Sequence, residues 1–327
     1  MKKRMAFVTG GSGFIGQHLI GELIDSNWQV TALARTKQAG GKVARLGATA
    51  IFGDLTKPKS YQIPENTTHI FHLAAVISHD KNLEKVIFRV NVGGTNDLLD
   101  KALKLNELRQ FIHISTVGVY GVVNTKVGNE KTTPNPQSPY ELSKLQAELL
   151  FKDKEYQKIP FTIIRPPVVI GFLDKASPLV TLYRLVNKGL FIQIGNRPIA
   201  FQSVYVNDLV DGIMTTIDQS KAIRQDFIMV GPIDDFNNIG RRMARLLNKK
   251  VFPGYLPVFF VRLISQLSSW TKILGLPVPI HPHSLTYLLT NRIFSSNKAK
   301  RVLDFRSQTN VDAVLPQIVT WYKESVG

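Results

Sequence analysis

Thr9-Gly10-Gly11-Ser12-Gly13-Phe14-Ile15-Gly16 is the stretch that decides the fold of this chain. Just before it, Arg4–Thr9 reads as a short strand. Just after it, Phe14–Ser26 places Ile15, Leu19 and Leu23 four residues apart, the spacing of one apolar helix face. The glycines have separate uses. Gly10 permits a tight turn out of the strand, Gly13 leaves no Cβ between the backbone and a diphosphate, and Gly16 lets the helix lie close to the strand. N–H groups at the helix start then point toward the anion. Strand, glycine loop and helix in this order are the pattern of a nucleotide-binding unit.

The same alternation continues outward. Gln29–Ala34, Thr49–Phe52, His69–Leu73, Gln110–Ile114 and Phe161–Arg165 read as strands, and Leu83–Leu108 and Tyr140–Tyr156 carry helical spacing. Runs such as Thr162-Ile163-Ile164 suit strands buried on both sides. The pattern predicts an α/β fold, a doubly wound parallel sheet of Rossmann type. A further strand (Gln202–Val206), helix (Asn207–Asp218) and strand (Asp226–Val230) follow, and beyond Arg241 the chain is mainly helical with proline breaks. The expected division is a dinucleotide-binding domain over 1–170, joined by 202–230, and a smaller, mainly helical C-terminal substrate lobe from 171–201 and 231–327.

At the end of the second strand, where an NAD-preferring site carries an acid for the ribose hydroxyls, stands Ala34, followed by Arg35 and, two residues later, Lys37. An acid would repel a 2′-phosphate; an arginine attracts one. NADP(H) is therefore favoured, with NAD(H) as the alternative. Asp54, after the third strand, is placed to accept from an adenine amino group, or to serve as an ordinary turn residue.

A second constellation lies at strand ends further on. Ser115 and Thr116 follow the fifth strand, and Tyr140 and Lys144 stand four apart at the start of a helix, on one face. A tyrosine titrates near 10. A neighbouring ammonium stabilises its phenolate and brings it into the range of acid–base work. A strand-end hydroxyl can hold a substrate oxygen beside the phenol.

These segments resemble the extended short-chain dehydrogenases/reductases, the NAD(P)-dependent epimerase/dehydratase group. The resemblance rests on the glycine loop, Phe71-His-Leu-Ala-Ala75, Asn91-Val-Gly-Gly-Thr95, Ser115-Thr-Val-Gly-Val-Tyr-Gly121, Tyr140-Glu-Leu-Ser-Lys144, Arg165-Pro-Pro-Val-Val-Ile-Gly171 and Val204-Tyr-Val-Asn-Asp-Leu209. It implies an enzyme in which Tyr140 is the acid–base, Lys144 binds the nicotinamide ribose and lowers the Tyr140 pKa, and Thr116 orients the substrate oxygen, with Ser115 as fallback. It also implies cofactor contacts from Gly10, Gly13, Phe14, Ile15, Gly16, Arg35, Asp54, Leu55, Leu73, Ala74, Ala75, Tyr140, Lys144 and Pro167. Asn91 is expected to tie its helix to neighbouring backbone, and His72 and His79 to be structural. Sugar-nucleotide 4,6-dehydratases of the group carry Asp-Glu straight after the threonine; here Val117 and Gly118 stand there, which disfavours elimination. The Arg165-Pro166-Pro167 segment is similar in style to the dihydroflavonol-reductase and 3β-hydroxysteroid-dehydrogenase branches. The expected activity is therefore an NADP(H)-dependent oxidoreductase on a ketone or secondary alcohol of a bulky, apolar substrate. The alternatives are an NAD-dependent sugar-nucleotide epimerase and a non-catalytic dinucleotide-binding protein.

Composition bounds the rest. The chain has 327 residues, ample for a buried core, and no cysteine, which excludes disulfides, thiolate metal sites and a thiol nucleophile. No metal site is expected. Lys and Arg number 41 against 24 Asp and Glu, a net charge of +17, which asks for an anionic partner. Residues 241–327 hold 13 of those cations and 3 of the acids. With no nucleic-acid-binding motif present, a nucleic-acid partner is not expected. No apolar run is long enough for a spanning helix. The expected location is cytoplasmic, with the aromatic, basic-flanked stretch 251–280 serving either as cover for the substrate pocket or as a peripheral membrane contact. The resemblance adds a homodimer through the Leu83–Leu108 and Tyr140–Tyr156 helices.

Overall fold

The computed structural model describes residues 4–78, 80–123, 126–261, 263, 289–290 and 292–325. His79 and most of the 251–280 stretch, from 264 onward, lie outside the described residues. Seven strands form the main sheet: β1 (Met5–Thr9), β2 (Gln29–Ala34), β3 (Thr49–Phe52), β4 (His69–His72), β5 (Gln110–Ile114), β6 (Phe161–Arg165) and β10 (Gln225–Ile228). Their order is β10-β6-β5-β4-β1-β2-β3, and every pairing is parallel. The order reverses between β1 and β4. In open α/β sheets that reversal opens a crevice at the carboxyl ends of the strands, the place where such folds take a ligand.

Both sheet faces are covered, and β1 shows why. Ala6 and Val8 join a core with Leu19, Ile20 and Leu23 of α1 (Phe14–Asp25) and Leu209 and Ile213 of α7 (Val206–Thr215). Phe7, between them, points the other way. It packs with Leu98 and Leu99 of α4 (Gly94–Ala102) and with Phe111 and Phe151. The twofold alternation of a strand thus supplies two cores from one run of apolar residues.

Two helices differ from the sequence reading. Lys37–Arg45 forms α2, which Gly40 and Gly41 disguise as loop, since glycine is a poor helix former. Gly40 lets the Phe52 ring of β3 lie against α2: a Cβ would lie 2.7 Å from that ring. The stretch Leu83–Leu108 is not one helix. It runs as α3 (Glu84–Phe88), a π-helical turn (Arg89–Gly93) and α4, ending at Ala102. Leu83, Val86 and, on α5 (Pro139–Leu150), Leu142 and Leu149 remain exposed on the segments expected to form a homodimer.

The smaller lobe has its own core. Strands β7 (Val168–Ile170), β9 (Ala200–Tyr205) and β11 (Ile233–Asp235) form a three-stranded sheet in the order β11-β9-β7. Helices α6 (Pro178–Asn187), α8 (Phe236–Leu246) and α10 (Val311–Ser325) pack through Leu182, Tyr183, Ile239, Met243, Ile318 and Tyr322. The segment 202–230 therefore divides. Helix α7 and β10 serve the large sheet, whereas β9 is the middle strand of the small one. Conversely, α9 (Asn297–Leu303), placed by sequence in the substrate lobe, packs Ala299 and Leu303 into the large-sheet core. Lys298 Nζ beside it donates to the Asp226 carbonyl on β10 at 2.8 Å.

Candidate active site

The glycine loop is built by close approach. Gly10 has φ +74°, and a Cβ on it would lie 2.6 Å from the Ala74 nitrogen. A Cβ on Gly16 would lie 2.2 Å from the Gly10 carbonyl oxygen, so neither position takes a side chain without moving backbone. Gly13 differs: its missing Cβ would meet only the Gly10 oxygen, at 3.1 Å, and otherwise faces open space. Gly13 is also the N-cap of α1, with no side-chain cap and no acid in the first turn. The helix start thus presents its unpaired N–H groups to whatever enters the loop.

A cleft of about 660 Å³ opens there. It is lined by Gly10, Gly13, Phe14, Ile15, Gly16, Arg35, Asp54, Leu55, Leu73, Ala74 and Ala75, all named from sequence, and also by Thr36, Gln38, Ala39 and Lys42. Lys37 is not among the lining residues; Lys42 is. Thr36 caps α2 by accepting from Ala39 N at 3.1 Å, and 38, 39 and 42 fall on one helical face. Sequence reasoning missed Lys42 because it missed the helix that presents it. The Asp54 carboxyl accepts from Thr56 N and Oγ1, both at 2.8 Å. The backbone bond from Thr56 first, then the Thr56 hydroxyl and Arg35, hold its pKa below the usual carboxylate value. Pro167 is buried in the link between β6 and β7 and does not line the cleft.

Tyr140, Lys144 and Thr116, also named from sequence, are not among the residues that line this cleft; Lys144 reaches its wall through Ile114. Ser138 caps α5 by accepting from Glu141 N at 3.3 Å, Pro139 occupies the first turn, and Glu141 Oε2 reaches back to Gln137 N at 2.6 Å. This is a capping arrangement readable in Ser138-Pro-Tyr-Glu141. It starts the helix so that Tyr140 and Lys144 share a face. Lys144 is buried and donates to the Ile114 carbonyl at 2.7 Å; Ile114 itself lines the cleft. Burial lowers the Lys144 pKa to about 8, against the opposing pull of the Glu148 carboxylate. Thr116 caps the short turn Val117–Tyr120 by accepting from Gly118 N at 3.0 Å, which leaves its hydroxyl hydrogen to donate. Ser115 Oγ is buried with no hydrogen-bond partner.

A family model described as NAD dependent epimerase/dehydratase family matches residues 6–231. The chain belongs to this family. It is 33% identical over 275 residues to a UDP-glucose 4-epimerase of Vibrio cholerae, covering 80% of this chain and 81% of that one. It is 24% identical over 331 residues to a decarboxylating sterol-4-alpha-carboxylate 3-dehydrogenase of Dictyostelium discoideum, covering 95% and 99%. Among solved structures, the UDP-glucose 4-epimerase of Thermotoga maritima superposes with a TM-score of 0.79 at 20% identity, covering 99% of this chain and all of that one. That likeness carries the fold.

The family's dinucleotide fits the residues present: the glycines leave its cradle open, the α1 N-terminus is uncapped, and a buried serine hydroxyl lacks a partner nearby. Behind the cleft this family member carries a buried polar chain that no motif predicted in full. Thr9 Oγ1 meets His72 Nδ1 at 2.6 Å, and His72 Nε2 meets Thr95 Oγ1 at 2.9 Å. Thr95 Oγ1 donates to the Asn91 carbonyl at 2.6 Å, so His72 donates through Nε2 and accepts through Nδ1. Asn91 accepts from Val76 N at 2.8 Å and donates to the Val76 carbonyl and to Ser143 Oγ; Ser143 donates to the Tyr140 carbonyl at 2.7 Å. The π turn puts Asn91 in this bracket, a common use of such turns. Burial, then the Lys144 charge, pushes His72 down to about 3 and His113 well below its usual value. Both are neutral, so His113 Nε2, 3.3 Å from Lys144 Nζ, accepts from the ammonium. Gly118 lies close under α5: a Cβ on it would lie 2.9 Å from Glu141 Cγ. An acid at that position, as in the dehydratases, would require the Glu141 side chain to shift.

Proposed function

We propose that this family member is an NADP(H)-dependent oxidoreductase acting on a ketone or secondary alcohol of a bulky, apolar substrate in the cytoplasm. The observation that carries the reading is the buried Lys144 ammonium, one helical turn from Tyr140 and bonded to the carbonyl of Ile114, a residue of the dinucleotide cleft wall. Bound along the cleft, the cofactor supplies or accepts hydride. The chain's residues do the remaining work. Tyr140 gives a proton to the substrate oxygen or takes it away. Lys144 stabilises the phenolate electrostatically. Thr116 donates a hydrogen bond to the same oxygen and so orients it. His113, neutral, keeps Lys144 pointed inward without adding charge.

The preference for a 2′-phosphate rests on Arg35 and Lys42 in the cleft wall, with Ala34 in place of an acid. Arg35→Ala should weaken NADP(H) by at least about tenfold, the worth of one charge-assisted contact, and change NAD(H) affinity far less. Titration of both cofactors checks this, and equal losses would refute the assignment. The apolar substrate is supported by full-length similarity to the sterol dehydrogenase.

The 33% identity to an epimerase supports a second reading, in which one carbon is oxidised and reduced again with NAD retained. Purified protein separates the two. Oxidoreductase action requires added NADP(H) and consumes it stoichiometrically with substrate. Bound NAD in equimolar amount, with turnover needing no added cofactor, would establish the epimerase instead.

A further inference from the structure

Two segments distant in sequence meet at one edge of the smaller lobe. Strand β8 (Gln193–Ile194) pairs in parallel with β12 (Tyr255–Leu256), Gly195 N donates to the Leu256 carbonyl at 2.9 Å, and Phe252 N donates to the Phe191 carbonyl at 3.2 Å. The two paired segments carry exposed apolar side chains, Leu190, Phe252, Tyr255, Phe259, Phe260 and Leu263, with Phe259 70% exposed and its ring against that of Phe260. Monomeric proteins seldom leave so much large apolar surface together in water. The same stretches, 184–200 and 241–263, carry exposed Arg184, Lys188, Arg197, Arg245, Lys249 and Lys250, none of which has an ion pair among the described residues. Neither 184–200 nor 241–263 contains a single Asp or Glu. The nearby Asp234 and Asp235 are engaged by Arg242 and Arg241.

We infer that this edge docks on an anionic lipid surface. Phenylalanine and leucine offer no polar atom for a nucleic acid or a hydrophilic protein face, and they gain by leaving water for the acyl boundary. The unpaired lysines and arginines of the same stretches are attracted to lipid phosphate. No helix among the described residues is long and apolar enough to cross a membrane, so the contact is peripheral. An anionic bilayer rewards both halves of the patch together.

Flotation of the full chain with vesicles tests this. Vesicles of phosphatidylcholine and phosphatidylglycerol should carry the protein upward at low salt and less at high salt; phosphatidylcholine alone should carry little. Lys249→Ala/Lys250→Ala should weaken binding to the mixed vesicles about 25-fold, from about fivefold for each cation near an anionic surface. Phe259→Ser/Phe260→Ser should abolish it. Both double variants should keep cofactor binding, which certifies their fold. Absence of flotation on the mixed vesicles, or equal flotation of wild type and both variants, would overturn the inference. So would a wild-type dimer in sedimentation that Phe259→Ser/Phe260→Ser dissolves while vesicles remain unbound, because the patch would then join two copies of this chain.

Discussion

Tyr140→Phe should lower kcat by about 10²–10⁴-fold, the usual contribution of a positioned acid–base group, while NADP(H) affinity stays nearly unchanged. The split follows from how Tyr140 is held. Its backbone carbonyl accepts from Ser143 Oγ, which in turn accepts from Asn91 Nδ2. Lys144 keeps its own bond to the Ile114 carbonyl. None of these contacts uses the phenol, so the variant loses one oxygen and keeps the helix start, the lysine and the cleft. Single-turnover rates with saturating cofactor, beside a fluorescence titration of NADPH, give both quantities. A variant turning over within a few-fold of wild type would remove Tyr140 from the chemistry, and a matching loss of cofactor affinity would make its role one of binding.

The sequence was most informative where one residue type has one physical use. Glycines 10 and 16 stand where a Cβ would strike backbone, and β1, β4, β5 and β6 read correctly because burial on both faces selects β-branched and aromatic residues at successive positions. Reading failed where partner choice, rather than local pattern, decides. The alternation in 200–205 identifies a strand but not the sheet it joins. Gly40-Gly41 lowers helix propensity, and only the Phe52 ring explains why α2 tolerates it; Lys42 was lost with that helix. The π turn at Arg89–Gly93 adds a residue and rotates the face that follows, so Val86 is exposed although it keeps a four-residue spacing with Val90, whereas Leu98 and Leu99 are buried. The contact of Lys144 with His113 joins residues 31 positions apart, a separation that no local motif spans.

Arg165 shows the same limit from the other side, and a large stability effect is expected from it. The sequence presents it as part of Arg165-Pro166-Pro167, a stylistic likeness to two reductase branches. In the structure it is a buried cation that ties α5 to β6. Its Nε and Nη2 donate to the two Glu148 carboxylate oxygens at 2.9 and 2.6 Å, its Nη1 to Asp226, and its guanidinium lies 5.1 Å from the centre of the Tyr120 ring. Burial alone would lower its pKa, but the Glu148 carboxylate outweighs this and raises it. Glu148 is one turn beyond Lys144 and two beyond Tyr140, on the same face of α5. The bidentate pair from β6 therefore sets the helix's rotation as well as its distance from the sheet. Arg165→Ala leaves Glu148 charged and buried without its partner, whereas Asp226 is partly exposed and keeps Lys298 at 3.4 Å. Breaking such a buried pair costs about 3–5 kcal/mol. The double variant Arg165→Met/Glu148→Leu removes both charges at similar volume and should regain most of that loss. Urea denaturation of the two variants measures the difference. If the single variant loses less than about 1 kcal/mol, the value of an exposed pair, or if the double variant is as unstable as the single one, the ion pair does not hold α5 on the sheet. If stability returns in the double variant while kcat stays low, the pair's worth lies in orienting Tyr140 and Lys144 rather than in holding the fold together.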